Sequence, residues 1–289
     1  MGQYYQTLDR PHFEYDLFTI DGLGDTYFRG PAFDQSKPYV ACIGAAHTFG
    51  RFVARPYPAI LSKRLGFQFL NLGVGGAGPL LFDAPQYINF ANQAKFVVVQ
   101  VLSGRSESNS LFDNSGTGSL MGVRKADKRF MRFEEFIAEL METESRERII
   151  EIVQETRASY VHNMMNLLQH IYRPKILFWF SRRAPSYKEG FGSPWELLGE
   201  YPQLVNRAMI DLLRPYVDAY VECISSRGLP QKLWQSDKPI DGTWLEGGWL
   251  LNRYYPSPEM HQEAAGLLAP VCARYIPGSR RTRQRGGVR

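Results

Sequence analysis

Five short runs of apolar, β-favouring residues constrain this sequence more than any other feature: YVACIG (39–44), FQFLNLG (67–73), KFVVVQVLS (95–103), KILFWFS (175–181) and AYVECIS (219–225). A strand wetted on one face alternates apolar and polar residues, whereas one covered on both faces is apolar almost throughout. The runs therefore predict central parallel strands. Helical patterns separate them. Residues 50–66 read as a first helix, and Phe133, Phe136, Ile137, Leu140 and Met141 form the i, i+3, i+4 stripe of a second. Ile149, Ile150, Val153, Tyr160, Val161, Met164 and Leu168 form a longer stripe that stops before Pro174. Residues 202–216 and 257–275 supply two more helices, the last opening on Ser257-Pro258-Glu259, with Ser as cap and Pro in the first turn. This alternation predicts a three-layer α/β/α domain with a five-stranded, mainly parallel, flavodoxin-like sheet.

The domain is expected over 37–276, preceded by a Pro/Gly/Asp-rich N-terminal arm (1–36) and followed by a basic tail (277–289). The formal charge of +5 owes much to that tail, where Arg280, Arg281, Arg283, Arg285 and Arg289 cluster without apolar periodicity, so it reads as solvated and disordered. The body has no basic helix or aromatic-basic RNA-binding signature, which makes a nucleic-acid partner unlikely on this reading. Cys42, Cys223 and Cys272 lie far apart in core-like segments and suit buried thiols in a reducing compartment. With no leader pattern and no span-length apolar stretch, the expectation is a cytoplasmic protein without a membrane span. No metal site or cofactor is expected, because no His/Cys/Asp cluster has ligand spacing and NLGVGGAGP lacks both the Lys-Ser/Thr of a P-loop and G-x-G-x-x-G spacing.

In an open parallel sheet, ligands bind beyond the carboxyl ends of the strands. IGAAHTFG, NLGVGGAGP, LSGRSESNS and FSRRAPSY emerge there, carrying most of the unusual polar chemistry. IGAAHTFG (43–50) resembles the G-D-S-x-T-x-G signature of SGNH or GDSL hydrolases through Gly44, Thr48 and Gly50, with Ala45 and Ala46 standing where Asp and the nucleophilic Ser would be. NLGVGG (71–76) is similar to the second block, with Asn71, Gly73 and Gly76 matching. In VVVQVLSGRSESNS, Gly104 is followed by Arg105 and Ser106, with Asn109 several residues later than the family's oxyanion Asn. NRYYPSPEMHQEAAGLLA (252–269) resembles the last block with Asn252 at the Asp position, Tyr255 at the His position and His261 at a later, non-catalytic histidine. Loops such as GAAHTFGRFV and SGRSESNS also resemble those of a bacterial family of unknown function. The resemblance implies an SGNH-like fold in which all three triad members are replaced.

A Ser-His hydrolase needs a nucleophile, a base within hydrogen-bond reach and a group that orients the base. Ala46 cannot attack, a tyrosine such as Tyr255 has an ordinary pKa near 10, and Asn252 would select a different imidazole tautomer from a carboxylate. His47 is either a pocket base or a helix-start histidine; His261 is either a base or structural. Ser103 and Ser106 are the candidate relocated nucleophiles. Arg105, Ser106, Asn109, Arg182 and Arg183, with Gly73, Gly76, Gly104, Asn252 and the backbone at Ala46, suit an anion. The alternative is loops stitched to their own backbone, with the arginines solvated or paired to Glu107 and Glu189. Trp179, Trp195, Trp234, Trp244 and Trp249, with Tyr254 and Tyr255 of NRYYPSP, are candidate sugar-stacking surfaces; Trp179 lies in a core strand and reads as packing, whereas Trp244 and Trp249 precede the last block and are candidates for the cleft wall.

Three readings follow. The first is a protein that binds, or transfers a group on, an anionic or acylated, glycan-like small molecule without the usual triad. The second is a non-catalytic pseudo-hydrolase binding module. The third is an esterase with Ser103 or Ser106 as nucleophile and His47 or His261 as base.

Overall fold

The computed structural model describes residues 8–114 and 120–276. Along the chain, β1 (Tyr39–Gly44) leads into α1 (Ala46–Phe49) and α2 (Tyr57–Leu65). β2 (Gln68–Gly73) leads into α3 (Pro79–Phe82) and α4 (Pro85–Gln93). β3 (Val97–Gln100) leads into an antiparallel insertion of β4 (Phe112–Asp113), β5 (Met121–Arg124) and β6 (Phe130–Arg132). Helices α5 (Phe133–Thr143) and α6 (Arg146–His170) return the chain to β7 (Lys175–Ser181), and α7 (Pro194–Leu198) and α8 (Arg207–Leu213) precede β8 (Ala219–Ile224). A second small sheet, β9 (Gln231–Gln235), β10 (Thr243–Glu246) and β11 (Trp249–Asn252), comes before α9 (Pro258–Cys272).

The central sheet has the order β2-β1-β3-β7-β8, with every pair parallel. This is the flavodoxin-like arrangement, and its five strands fall on the five apolar runs. Side chains alternate between two buried layers. Val40, Cys42, Ile176, Phe178 and Phe180 pack with Leu61, Met260 and Leu268 of α2 and α9. Ala41, Ile43, Leu177 and Trp179 pack with Tyr87, Tyr160, Met164 and Ile210 of α4, α6 and α8. Covering both faces is what required apolar residues at nearly every strand position.

Several boundaries differ from the sequence expectation. The helix expected over 50–66 is confined to α2 (Tyr57–Leu65), because Gly50 closes the preceding α1 and Pro56 caps α2, with a second proline in its first turn. The helix expected from residue 202 starts after Asn206, whose side chain accepts from the Met209 amide at 3.1 Å. The segments after β3 and after β8, which show no strand run in the sequence, hold the small sheets, whose strands are only two to five residues long. The first insertion packs with α5, the start of α6 and α7 around Phe112, Phe133, Phe136 and Leu197 as a separate cap cluster.

The described part of the N-terminal arm lies against the domain. Phe28 joins the main core, and Tyr15 and Asp9 are fully buried. All three cysteines are free and buried. The basic tail at 277–289 lies outside the described residues.

Candidate functional site

The chain leaves β1 toward β2 on one side and later enters β3 on the other, so the loops after β1 and β3 diverge and open a crevice between them. Gln100, at the end of β3, sets its floor. Its Oε1 accepts from the Ala45 amide at 3.0 Å and the Thr48 hydroxyl at 2.6 Å, which fixes α1. Its Nε2 donates to the Tyr201 hydroxyl at 2.9 Å, and Tyr201 donates to the Val101 carbonyl at 3.1 Å. Asn71 ties the neighbouring strand end, donating to the Thr48 carbonyl and accepting from the Gly73 amide, both at 2.9 Å.

Above this floor lies a cavity of about 130 Å³ whose wall includes Ala46, His47, Gly76, Arg105, Ser106 and Tyr255. The His47 ring stacks on Tyr201 at 3.9 Å between centroids and meets Phe180, Tyr254 and Tyr255 edge-on. It makes no hydrogen bond among the described residues. Burial, followed by the nearby His261 and the Arg105 and Arg182 guanidiniums, holds its imidazole well below the ordinary histidine value. His47 is therefore neutral at physiological pH, with its ring nitrogens uncommitted.

Arg105 donates through Nη1 to Glu134 at the start of α5, and its other guanidinium N–H groups meet no acceptor among the described residues. Ser103 donates to Gln203 Oε1 at 2.8 Å, and Ser106 makes a long contact of 3.4 Å with the Gly76 carbonyl. No hydroxyl is hydrogen-bonded to an imidazole among the described residues. The Tyr255 hydroxyl accepts from Arg51 at 2.9 Å, and burial pushes its pKa up to about 12, so it stays protonated and able to donate.

The structure thus brings Ala46, His47, Gly76, Ser103, Arg105, Ser106 and Tyr255 to one cavity. Other expected residues are committed elsewhere. Gly73 lies behind the wall against the Phe49 backbone, and Gly104 packs on Gln203 and Leu204. Asn109 accepts from the Leu111 and Phe112 amides and donates to Thr156. Asn252 pins the following turn, accepting from the Tyr254 and Tyr255 amides at 3.1 and 2.8 Å. Arg183 donates to four backbone carbonyls, from Ala184, Glu200, Pro202 and Val205, and is a loop clamp. Arg182 pairs with Glu200 and edges a shallow side pocket beside His47.

His261 is fully buried in α9, where its Nδ1 accepts from the Tyr57 amide at 3.0 Å, and burial pushes its pKa down to about 3. The base role considered for it is replaced by a structural one. The carboxylates expected to pair with loop arginines are also exchanged: Glu107 accepts from Asn163, and Glu189 pairs with Arg157.

Sequence reading missed Arg51 and Tyr201, both on the cavity wall, whereas Tyr254, one of the tyrosines of NRYYPSP, lines it as well. A second chamber of about 250 Å³, including Arg132, Glu134, Trp195 and Gln203, adjoins the first across Arg105, Tyr254 and Tyr255. Trp195 and Tyr254 carried an aromatic-stacking signal in the sequence, whereas for Arg51, Arg132, Glu134, Tyr201 and Gln203 the signal was proximity to strand-end loops and the elements that follow them. Among the described residues, no helix is long and apolar enough to cross a membrane, and no group of three or more His, Cys, Asp or Glu residues is placed to hold a metal ion.

The parallel sheet, its helical layers and the crevice at the β1/β3 switch define a three-layer α/β/α protein with a flavodoxin-like sheet. The chain belongs to the family described as "Domain of unknown function (DUF6473)", whose model matches residues 5–114 and 126–276. No curated protein matches the sequence. Among solved structures, phospholipase A1 from Streptomyces albidoflavus NA297 is similar at 11% identity and TM-score 0.46, over 83% of this chain and 99% of that one. A carbohydrate esterase family 2 enzyme with a carbohydrate binding domain, from Corynascus thermopiles (Myceliophthora fergusii), is similar at 12% identity and TM-score 0.40, over 86% of this chain and 70% of that one. AlinE4, an SGNH-hydrolase family esterase, is similar at 16% identity and TM-score 0.32, over 86% of this chain and all of that one.

Proposed function

We propose that this protein binds a small molecule bearing an acid or acyl group in the inner cavity, on an SGNH-like scaffold without the Ser-His-Asp machinery. The observation that carries this reading is the state of Arg105, which lines the cavity: one donor is held by Glu134, and the rest of its fork meets no acceptor among the described residues. A guanidinium fork suits a carboxylate or phosphate. The protonated Tyr255 hydroxyl supplies a further donor on the same wall, while Ala45, Ala46, Ala77, Leu8 and Leu120 give apolar surface for an acyl chain.

His47 favours a second reading, group transfer. A neutral imidazole with free ring nitrogens is suited to take a proton from a bound nucleophile in the same cavity. The relocated-serine esterase has less support, because neither Ser103 nor Ser106 is hydrogen-bonded to a histidine.

Calorimetric titration with hexanoate, paired with a p-nitrophenyl acetate assay, tests the reading. Hexanoate is expected to bind the wild type and to lose about tenfold in affinity with Arg105→Gln, with no ester turnover above background. Binding indifferent to Arg105→Gln would remove the acid site. Ester turnover abolished by His47→Ala would restore a serine hydrolase.

A further inference from the structure

The outer chamber differs in chemistry from the inner one. Trp195 stands on α7, anchored by the buried Leu197 and Leu198, and keeps 55% of its surface exposed. Glu134 gives Oε1 to Arg105, while its Oε2 is buried without a hydrogen-bond partner. Arg132 Nε forms a long ion pair with that oxygen at 3.8 Å, beyond hydrogen-bond range. Gln203, on the same wall, accepts a hydrogen bond from the Ser103 hydroxyl and donates to the Tyr254 hydroxyl at 3.0 Å. Glu134 and Trp195 thus line the same chamber, the one with a buried carboxylate oxygen that has no hydrogen-bond partner among the described residues, the other with an exposed indole.

A buried carboxylate oxygen requires a donor. A neutral hydroxyl satisfies it without adding a charge to the Arg105–Glu134 pair. An aromatic face takes the C–H face of a saturated ring, leaving that ring's hydroxyls free at its rim. Arg105 lies on the boundary of both chambers, so an acid held by its fork has the inner apolar wall on one side and the outer chamber, walled by Trp195, on the other.

We infer that the outer chamber takes the polyhydroxyl part of an acidic sugar, whose carboxylate rests on Arg105, whose ring covers Trp195 and whose hydroxyl donates to Glu134 Oε2. The inference rests on the reading of the inner cavity as an acid site. The step is binding alone, and no bond is made or broken.

Calorimetry with D-glucuronate, D-glucose and hexanoate separates the two levels. Glucuronate is expected to bind at least about tenfold more tightly than either single-feature probe. Trp195→Ala is expected to bring glucuronate to within about twofold of hexanoate, and Trp195→Phe to restore most of the difference. Thermal melting confirms that these variants fold. Equal affinity for glucuronate and hexanoate, or an advantage that survives Trp195→Ala, overturns the sugar-acid inference and leaves the acid site standing. Failure of both acids to bind, or binding that ignores Arg105→Gln, overturns the acid site and this inference with it.

Discussion

Asp9 and Arg51 form a two-pronged ion pair with no solvent exposure on either side chain, Nε to Oδ2 at 2.6 Å and Nη2 to Oδ1 at 3.1 Å. The same guanidinium donates to the Tyr255 hydroxyl and the Asp241 carbonyl, each at 2.9 Å. One side chain thus joins the N-terminal arm, the segment after α1 and the turn after β11 at the cavity wall. Removing one partner strands the other charge. Asp9→Ala is expected to cost about 3–5 kcal/mol, and Asp9→Ala/Arg51→Met to recover part of it. Urea midpoints at constant m-value measure this. A single-variant loss below about 1 kcal/mol, the range of an exposed pair, would contradict it.

Stability is expected to peak near pH 6.5. Glu107 is buried, with Oε1 unpartnered, and burial pushes its pKa from 4.5 to about 8. Between those values the folded state holds a proton the unfolded state has released, so stability falls as pH rises. His47 and His261 act in the opposite sense. Burial lowers both, so below about 6.5 the unfolded chain takes up protons the folded protein refuses, and stability falls with pH. Each proton is worth about 1.4 kcal/mol per pH unit. Above the peak Glu107 acts without them; below it the two histidines outweigh it. Glu107→Gln should flatten the alkaline limb and steepen the acid one, and a flat wild-type profile from about pH 6.5 to 8 would refute the assignment.

Ala46→Ser is expected to give no p-nitrophenyl acetate turnover above wild type. The new hydroxyl would face a protonated Tyr255 rather than a base, and Asn252 is committed to the 252–255 turn. Turnover in Ala46→Ser that disappears on adding His47→Ala would instead show His47 serving as base, and would favour the group-transfer reading.

Gly76 sits at φ 75° in the turn closed by the Ala77 amide on the Val74 carbonyl at 3.2 Å. A side chain there adopts the left-handed region at a cost of about 1–2 kcal/mol, and its Cβ would meet Leu120 at 3.0 Å. Gly76→Ala should lower the melting temperature and weaken hexanoate binding together. An unchanged melting temperature with lost binding would place Gly76 in direct ligand contact.

Much of this molecule was legible in its sequence. The apolar runs mark the five central strands because burial on both faces leaves little room for polar residues. The Ser257 cap marks the start of α9, since its hydroxyl accepts from the Met260 amide at 3.2 Å. The loop positions of His47 and Arg105 pointed to the cavity because an open parallel sheet gathers ligands at its carboxyl edge. These are consequences of local periodicity and strand order.

Which polar groups remain free was decided only in three dimensions. Arg182 and Arg183 read like Arg105, yet one is paired with Glu200 and the other is spent on backbone carbonyls. Tyr255 is reached by Arg51 across 204 residues, and Gln203 by Ser103 across 100. A hydrogen bond depends on distances of a few tenths of an ångström between groups whose sequence separation carries no information about them. The sequence alone therefore determined the sheet and the edge at which the cavity opens, and tertiary packing decided that, among the described residues, Arg105 keeps donors and His47 makes no hydrogen bond.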